Sequence, residues 1–261
     1  MAEHTAEFVT IGTGDDARDI AFIYSPATSN PQAPTLVWLG GYRSDMSGTK
    51  AVELDRFAAE NGIACLRLDY SGHGASGGDF NKGTISRWLG EALDVVRHAA
   101  PERVVLIGSS MGGWIALRMV EELRKAGGSP TVAGMVLIAP APDFTAELIE
   151  PGLSDAEKAS LEEKGYFEEH SEYSPEPNIF TRALIDDGRD NRVLKGIITT
   201  GCAVHILQGM QDPDVPYQHA LKLLEHLPAD DVVLTLIRDG DHRLSRPQDI
   251  DRMLAAVKSL V

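Results

Sequence analysis

Serine, histidine and aspartate occur in this chain at spacings that could turn an inert alcohol into a nucleophile. The serine is Ser110, at the centre of Gly108-Ser109-Ser110-Met111-Gly112. An aliphatic run at 104–107 precedes it, and an apolar helical pattern (Trp114, Leu117, Met119, Val120, Leu123) follows at once. Strand, sharp turn, helix is the setting a G-x-S-x-G signature requires. Such a turn leaves little room for side chains at 108 and 112, and it lifts the serine oxygen above the carboxyl edge of a sheet. The amide of Met111, opening the helix, would face negative charge developing beside that oxygen. A plain small-residue turn between strand and helix is the alternative, and the flanks argue against it.

A serine hydroxyl needs a base to take its proton, and the base works best when a carboxylate orients it. The apolar run 203–207 leads into Gln208-Gly209-Met210-Gln211-Asp212-Pro213-Asp214-Val215-Pro216, which offers Asp212 and Asp214. The run 232–237 leads into Arg238-Asp239-Gly240-Asp241-His242-Arg243. One helix and one strand fit between Asp212 and His242, so both loops should leave the edge that carries Ser110. Asp239 and Asp241 flank the histidine, but neighbours in sequence rarely point at the same ring. A second donor for an oxyanion is the amide of Tyr42, in Trp38-Leu39-Gly40-Gly41-Tyr42, where paired glycines let backbone amides face inward. The expected catalytic set is therefore Ser110 and His242 with Asp212 or Asp214, and the Tyr42 and Met111 amides as the oxyanion hole.

These loops need a scaffold. Strand patterns are expected at 19–24, 35–39, 63–68, 104–107, 132–138, 203–207 and 232–237, with helices at 49–61, 84–99, 218–226 and 247–260 and directly after Ser110. Strands alternating with helices predict an α/β fold with a mainly parallel sheet covered on both faces. Residues 143–200 break the rhythm, with a charged helical piece at 153–164 and then Tyr166, Phe167, Tyr173, Ile179 and Phe180 among polar residues. A structureless loop that long is uncommon, so a small helical cap is expected within one domain spanning 1–261. Tyr166, Phe167 and Phe180 are candidates for an apolar acyl pocket, or for packing the cap onto the domain.

With 39 acidic and 24 basic residues the net charge is −15, which disfavours nucleic acid as a partner. No apolar run approaches the roughly 18 residues of a membrane span. Residues 1–7 show neither a secretory nor a transit pattern, which makes the cytoplasm the expected compartment. The two cysteines, Cys65 and Cys202, read as small buried fillers. Gly72-His73-Gly74-Ala75-Ser76-Gly77 matches G-x-G-x-x-G but opens no helix and has no acidic strand end downstream, so a dinucleotide site is rejected. The spacing around Gly48-Thr49-Lys50 is wrong for a phosphate loop, and neither H-E-x-x-H nor a Cys/His cluster is present. No cofactor and no catalytic metal are expected.

Gly41-Tyr42, Asp69-Tyr70-Ser71-Gly72-His73-Gly74-Ala75-Ser76, the Ser110 turn, the Asp212 loop and His242 together resemble the α/β-hydrolase superfamily over nearly the whole chain. That resemblance implies an eight-stranded sheet. It also selects Asp212 over Asp214, because only Asp212 falls on the superfamily pattern G-x-x-D-x-x-V-P. The usual His-Gly of the oxyanion turn is Gly40-Gly41 here, which leaves the backbone role intact. The stretch 41–51 and Asp241-His242-Arg243, with Tyr166 and Tyr173-Ser174 in the lid region, resemble the mitochondrial palmitoyl-protein thioesterase and acyl-glucuronide esterase type. The implied chemistry is carboxyl-ester or acyl-thioester hydrolysis on a small-molecule or acylated substrate. A catalytically silent binding protein on the same fold and a cofactor-free perhydrolase are the alternatives. Acyl preference and oligomeric state are not legible.

Overall fold

Val104, Val105, Leu106 and Ile107 leave no polar face, so the strand that holds them must be covered on both sides. The computed structural model describes residues 5–169, 177–227 and 231–261 and has that strand, β5 (Arg103–Ser109), in the interior of an eight-stranded sheet. In chain order the other strands are β1 (Glu7–Ile11), β2 (Arg18–Ser25), β3 (Thr35–Leu39), β4 (Cys65–Leu68), β6 (Thr131–Ile138), β9 (Ala203–Gly209) and β10 (Val232–Ile237). The order across the sheet is β1-β2-β4-β3-β5-β6-β9-β10. β4, β3, β5, β6, β9 and β10 run parallel, while β1 pairs antiparallel with β2 and β2 with β4.

The alternation of a strand divides the β5 residues between two cores. Val104 and Leu106 pack with Trp88, Leu89 and Ala92 of α2 (Ile85–Ala99) and with Ile115 and Met119 of α3 (Met111–Ala126). Val105 and Ile107 pack with Ala51 and Leu54 of α1 (Thr49–Glu60) and with Ile250, Met253 and Val257 of the helix Pro247–Lys258. All four β5 side chains are fully buried, and each contributes about 2 kcal/mol of apolar transfer. Thr84 caps α2 by accepting from the Arg87 amide.

The β6–β9 connection contains α4 (Asp155–Glu163), opened by a Ser154–Glu157 capping box, a two-stranded antiparallel hairpin of β7 (Tyr166–Glu169) and β8 (Asn178–Thr181), and α5 (Arg182–Asp190). Its two ends are tied together. The buried Asp143 carboxylate accepts from the amides of Val193 and Leu194, each at 2.8 Å. Tyr173 and Ser174 lie outside the described residues. Among the described residues no helix is long and apolar enough to cross a membrane. Cys65 is buried as expected, whereas Cys202 is only half-buried.

Candidate active site

Parallel strands release their following loops at one edge, and four such loops meet here. β3 leads into 40–45, β5 into Ser110, β9 into Asp212 and β10 into His242. Ser110 has φ 53° and ψ −118°, a region disfavoured for a side chain. Such a residue costs about 1–3 kcal/mol and persists only where its surroundings over-determine it. They do: the Ser110 amide donates to Ile138 O at 2.9 Å, and its carbonyl accepts from Gly113 and Ala141. The flanking glycines are obligatory on steric grounds. A Cβ at 108 would lie 2.4 Å from Gly112 O, and one at 112 would lie 2.0 Å from Leu39 O.

His242 Nε2 is 3.1 Å from Ser110 Oγ, and Nδ1 is 2.8 Å from Asp212 Oδ2. The Asp212 side chain is fully buried and that of His242 is 17% exposed. Asp212 accepts two further backbone bonds at Oδ1, from Asp214 at 2.9 Å and Val215 at 2.8 Å, and Oδ2 also accepts from Gln208 Nε2 at 3.1 Å. Three N–H donors besides the imidazole therefore fix the carboxylate's orientation. A carboxylate accepts only, so the ring carries its proton on Nδ1 and leaves Nε2 bare toward the serine. Asp214 serves through its amide, Asp239 pairs with Arg246, and Asp241 accepts from the Leu244 amide. The carboxylates of Asp239 and Asp241 are thus otherwise engaged.

Gly41 lies against the serine: a Cβ there would stand 3.3 Å from Ser110 Cβ and 3.9 Å from its Oγ. The adjacent amide of Tyr42 and that of Met111 have no acceptor among the described residues. The Tyr42 ring stacks on Phe180 at 5.2 Å, and its hydroxyl donates to Ile179 O, joining this turn to the β7–β8 hairpin. Burial raises the phenol's pKa well above its ordinary value.

Ser110, Met111, Tyr42 and His242 open onto a cavity of about 910 Å³. Its lining combines apolar Phe144, Leu148, Ile149, Phe167 and Phe180 with charged Arg43, Asp45, Lys50 and Arg243. Lys50 donates to Arg243 O, and burial pulls its ammonium down to about 8. Phe167 and Phe180 line the cavity and at the same time pack into the main core. Tyr166 does not, because the alternation of β7 turns it outward to a shallow hollow against α4 while its neighbour Phe167 faces in. Gln208 was not foreseen, and the only signal for it was a polar residue ending a buried strand just before the acid loop. Ligand-type atoms of Asp212, Asp214 and His242 lie within 4.8 Å of one another. Binding a metal there would take an imidazole nitrogen that Asp212 or Ser110 holds.

Residues 36–256 match the alpha/beta hydrolase family model. The human mitochondrial palmitoyl-protein thioesterase ABHD10 is 28% identical over 231 residues, covering 88% of this chain and 74% of that protein. A putative hydrolase from Agrobacterium vitis S4 superposes with a TM-score of 0.96 at 66% identity, covering 99% of both chains. Mouse alpha/beta hydrolase domain-containing protein 10 superposes with a TM-score of 0.83 at 26% identity, covering 98% of each. Est1E from Butyrivibrio proteoclasticus shares the fold, with a TM-score of 0.75 at 21% identity over 96% of each chain.

Proposed function

The chain belongs to the alpha/beta hydrolase family, and on that footing we propose that it is a serine hydrolase of carboxylic esters or acyl thioesters working through Ser110, His242 and Asp212. The observation that carries the reading is the continuous relay from Asp212 Oδ2 through His242 to Ser110 Oγ, at 2.8 and 3.1 Å. Ser110 Oγ attacks the acyl carbonyl as His242 Nε2 takes its proton, and Asp212 stabilises the imidazolium. The Tyr42 and Met111 amides bind the oxyanion of the tetrahedral intermediate, each contributing about 100-fold or more in rate. His242 then protonates the departing alkoxide or thiolate, which leaves as alcohol or thiol while the acyl group stays on Ser110 as an ester. Water, deprotonated by the same nitrogen, cleaves that ester and restores the serine.

In this reading the β6–β9 connection is a cap, and Phe144, Phe167 and Phe180 receive the acyl chain. The ABHD10 likeness supports acyl thioesters as one substrate class. A panel of p-nitrophenyl esters, acyl thioesters and an acyl glucuronide of graded chain length, run with wild type and Ser110→Ala, tests it. Turnover of at least one class by wild type and loss with Ser110→Ala is the expected result. A panel left untouched by wild type would favour a binding protein.

A further inference from the structure

The loop after β4 carries the G-x-G-x-x-G stretch whose sequence context lacks the features of a dinucleotide site, and the structure gives its histidine another task. β4 lies beside β3 in the sheet, so the loop 69–76 abuts the turn 41–46 that holds the Tyr42 amide. His73 is 3% exposed and is enclosed by the rings of Tyr70, Phe80 and Trp88 at 5.7, 5.0 and 5.2 Å. Its Nδ1 is 3.1 Å from Ser71 O, and its Nε2 is 3.1 Å from the amide nitrogen of Arg43. A carbonyl only accepts and an amide N–H only donates, so these partners fix a single neutral tautomer, Nδ1–H with a bare Nε2. Burial holds the ring in that form, pulling its pKa down to about 4.

Arg43 has φ 54°, strained for a non-glycine residue, and the His73 bond pins its amide in that conformation. The same loop grips the turn again at Met46, whose amide donates to Asp69 Oδ1 at 2.7 Å. Within the turn, the Ser44 amide donates to Gly41 O at 3.2 Å. The Arg43 amide belongs to the peptide unit next to the one bearing the Tyr42 N–H, so its hold sets where that N–H points.

We infer that His73 is a positioning residue that aims the Tyr42 amide at the oxyanion by accepting the Arg43 N–H. This rests on the assignment of Ser110 as nucleophile with the Tyr42 amide as oxyanion donor. The test compares wild type, Ser110→Ala, His73→Phe, His73→Asn and His73→Gln on the best p-nitrophenyl ester, together with inhibition by a matching trifluoromethyl ketone. Phenylalanine keeps the ring packing without an acceptor. Asparagine reaches only to the Nδ1 position, whereas glutamine can place its carbonyl oxygen near that of Nε2.

The Phe and Asn variants should lose about 10- to 100-fold in kcat with KM changed less than about threefold, because misaimed polar groups act on the transition state. They should bind the tetrahedral ketone adduct correspondingly less tightly, and His73→Gln should recover most of the kcat. Wild-type kcat in all three, or a glutamine variant as impaired as phenylalanine, overturns the inference provided Ser110→Ala is inactive. An active Ser110→Ala would instead overturn the underlying assignment. For variants that fail to fold, 15N NMR of wild-type imidazoles decides: Nδ1–H with a hydrogen-bonded, unprotonated Nε2 is expected, and an Nε2–H ring at His73 refutes.

Discussion

Asp212→Asn isolates the orienting carboxylate with almost no change in shape. An asparagine at 212 has two ways to sit. With its oxygen at the Oδ1 position it keeps the bonds from Asp214 and Val215, at 2.9 and 2.8 Å. Its NH2 then occupies the Oδ2 position, facing His242 Nδ1 and Gln208 Nε2. Gln208 Nε2 retains Gly209 O at 3.1 Å and Val215 O at 3.0 Å, so it tolerates the loss. The reverse orientation sets an NH2 against two buried backbone N–H groups, leaving both unpaired at about 1–3 kcal/mol each. The first orientation wins, and it forces Nδ1 to become an acceptor. The ring proton moves to Nε2, which can then no longer take one from Ser110. A wrong tautomer of this kind costs about 10,000-fold in kcat, or about 5.5 kcal/mol of barrier. Loss of the charge-assisted bond should cost only about 2 kcal/mol of stability. Ester turnover at pH 7.5 alongside urea unfolding separates the two quantities. A folded variant retaining more than a tenth of wild-type kcat would refute the relay.

Gly112→Ala, whose Cβ would lie 2.0 Å from Leu39 O, should compromise folding itself, visible as insoluble or low-melting protein. Gly41→Ala meets Ser109 O and Ser110 Cβ at 3.3 Å, so it should fold and lose kcat; equal behaviour of the two variants would count against the steric argument. The His73 pKa, depressed from 6.5 to about 4, contributes roughly 3 kcal/mol. Because the folded state disfavours the charged ring, that contribution is present above pH 6.5 and is lost as the pH falls toward 4. Urea melts of wild type minus His73→Gln should therefore narrow between pH 7 and 4.5, and a constant gap would exclude it.

Much of the machinery is legible because it is local. The β5–turn–α3 sequence announces itself through an apolar run, two glycines that sterics demand and a helical pattern, and each loop of the proposed triad follows an apolar strand. The hairpin of β7 and β8 is not legible, since each strand is four residues long and they pair with other chain between them. Its anchoring is tertiary, through Phe180 on Tyr42. β1 escapes for a different reason: it is an edge strand without a fully buried residue, so it shows no clear alternation. His73 acquires its task from Arg43 on the neighbouring β3 turn, whereas Gln208 serves the acid loop that follows it, and a polar residue closing a buried strand is its one local mark.

Hydrolysis through Ser110 requires that its hydroxyl become an ester during turnover. Rapid acid quench with a slowly deacylating p-nitrophenyl ester, followed by peptide mass spectrometry, should find the acyl mass on the Ser110 peptide of wild type and nowhere in Ser110→Ala. Hydrolysis that proceeds in the alanine variant, or an acyl group trapped on a different residue, would contradict it.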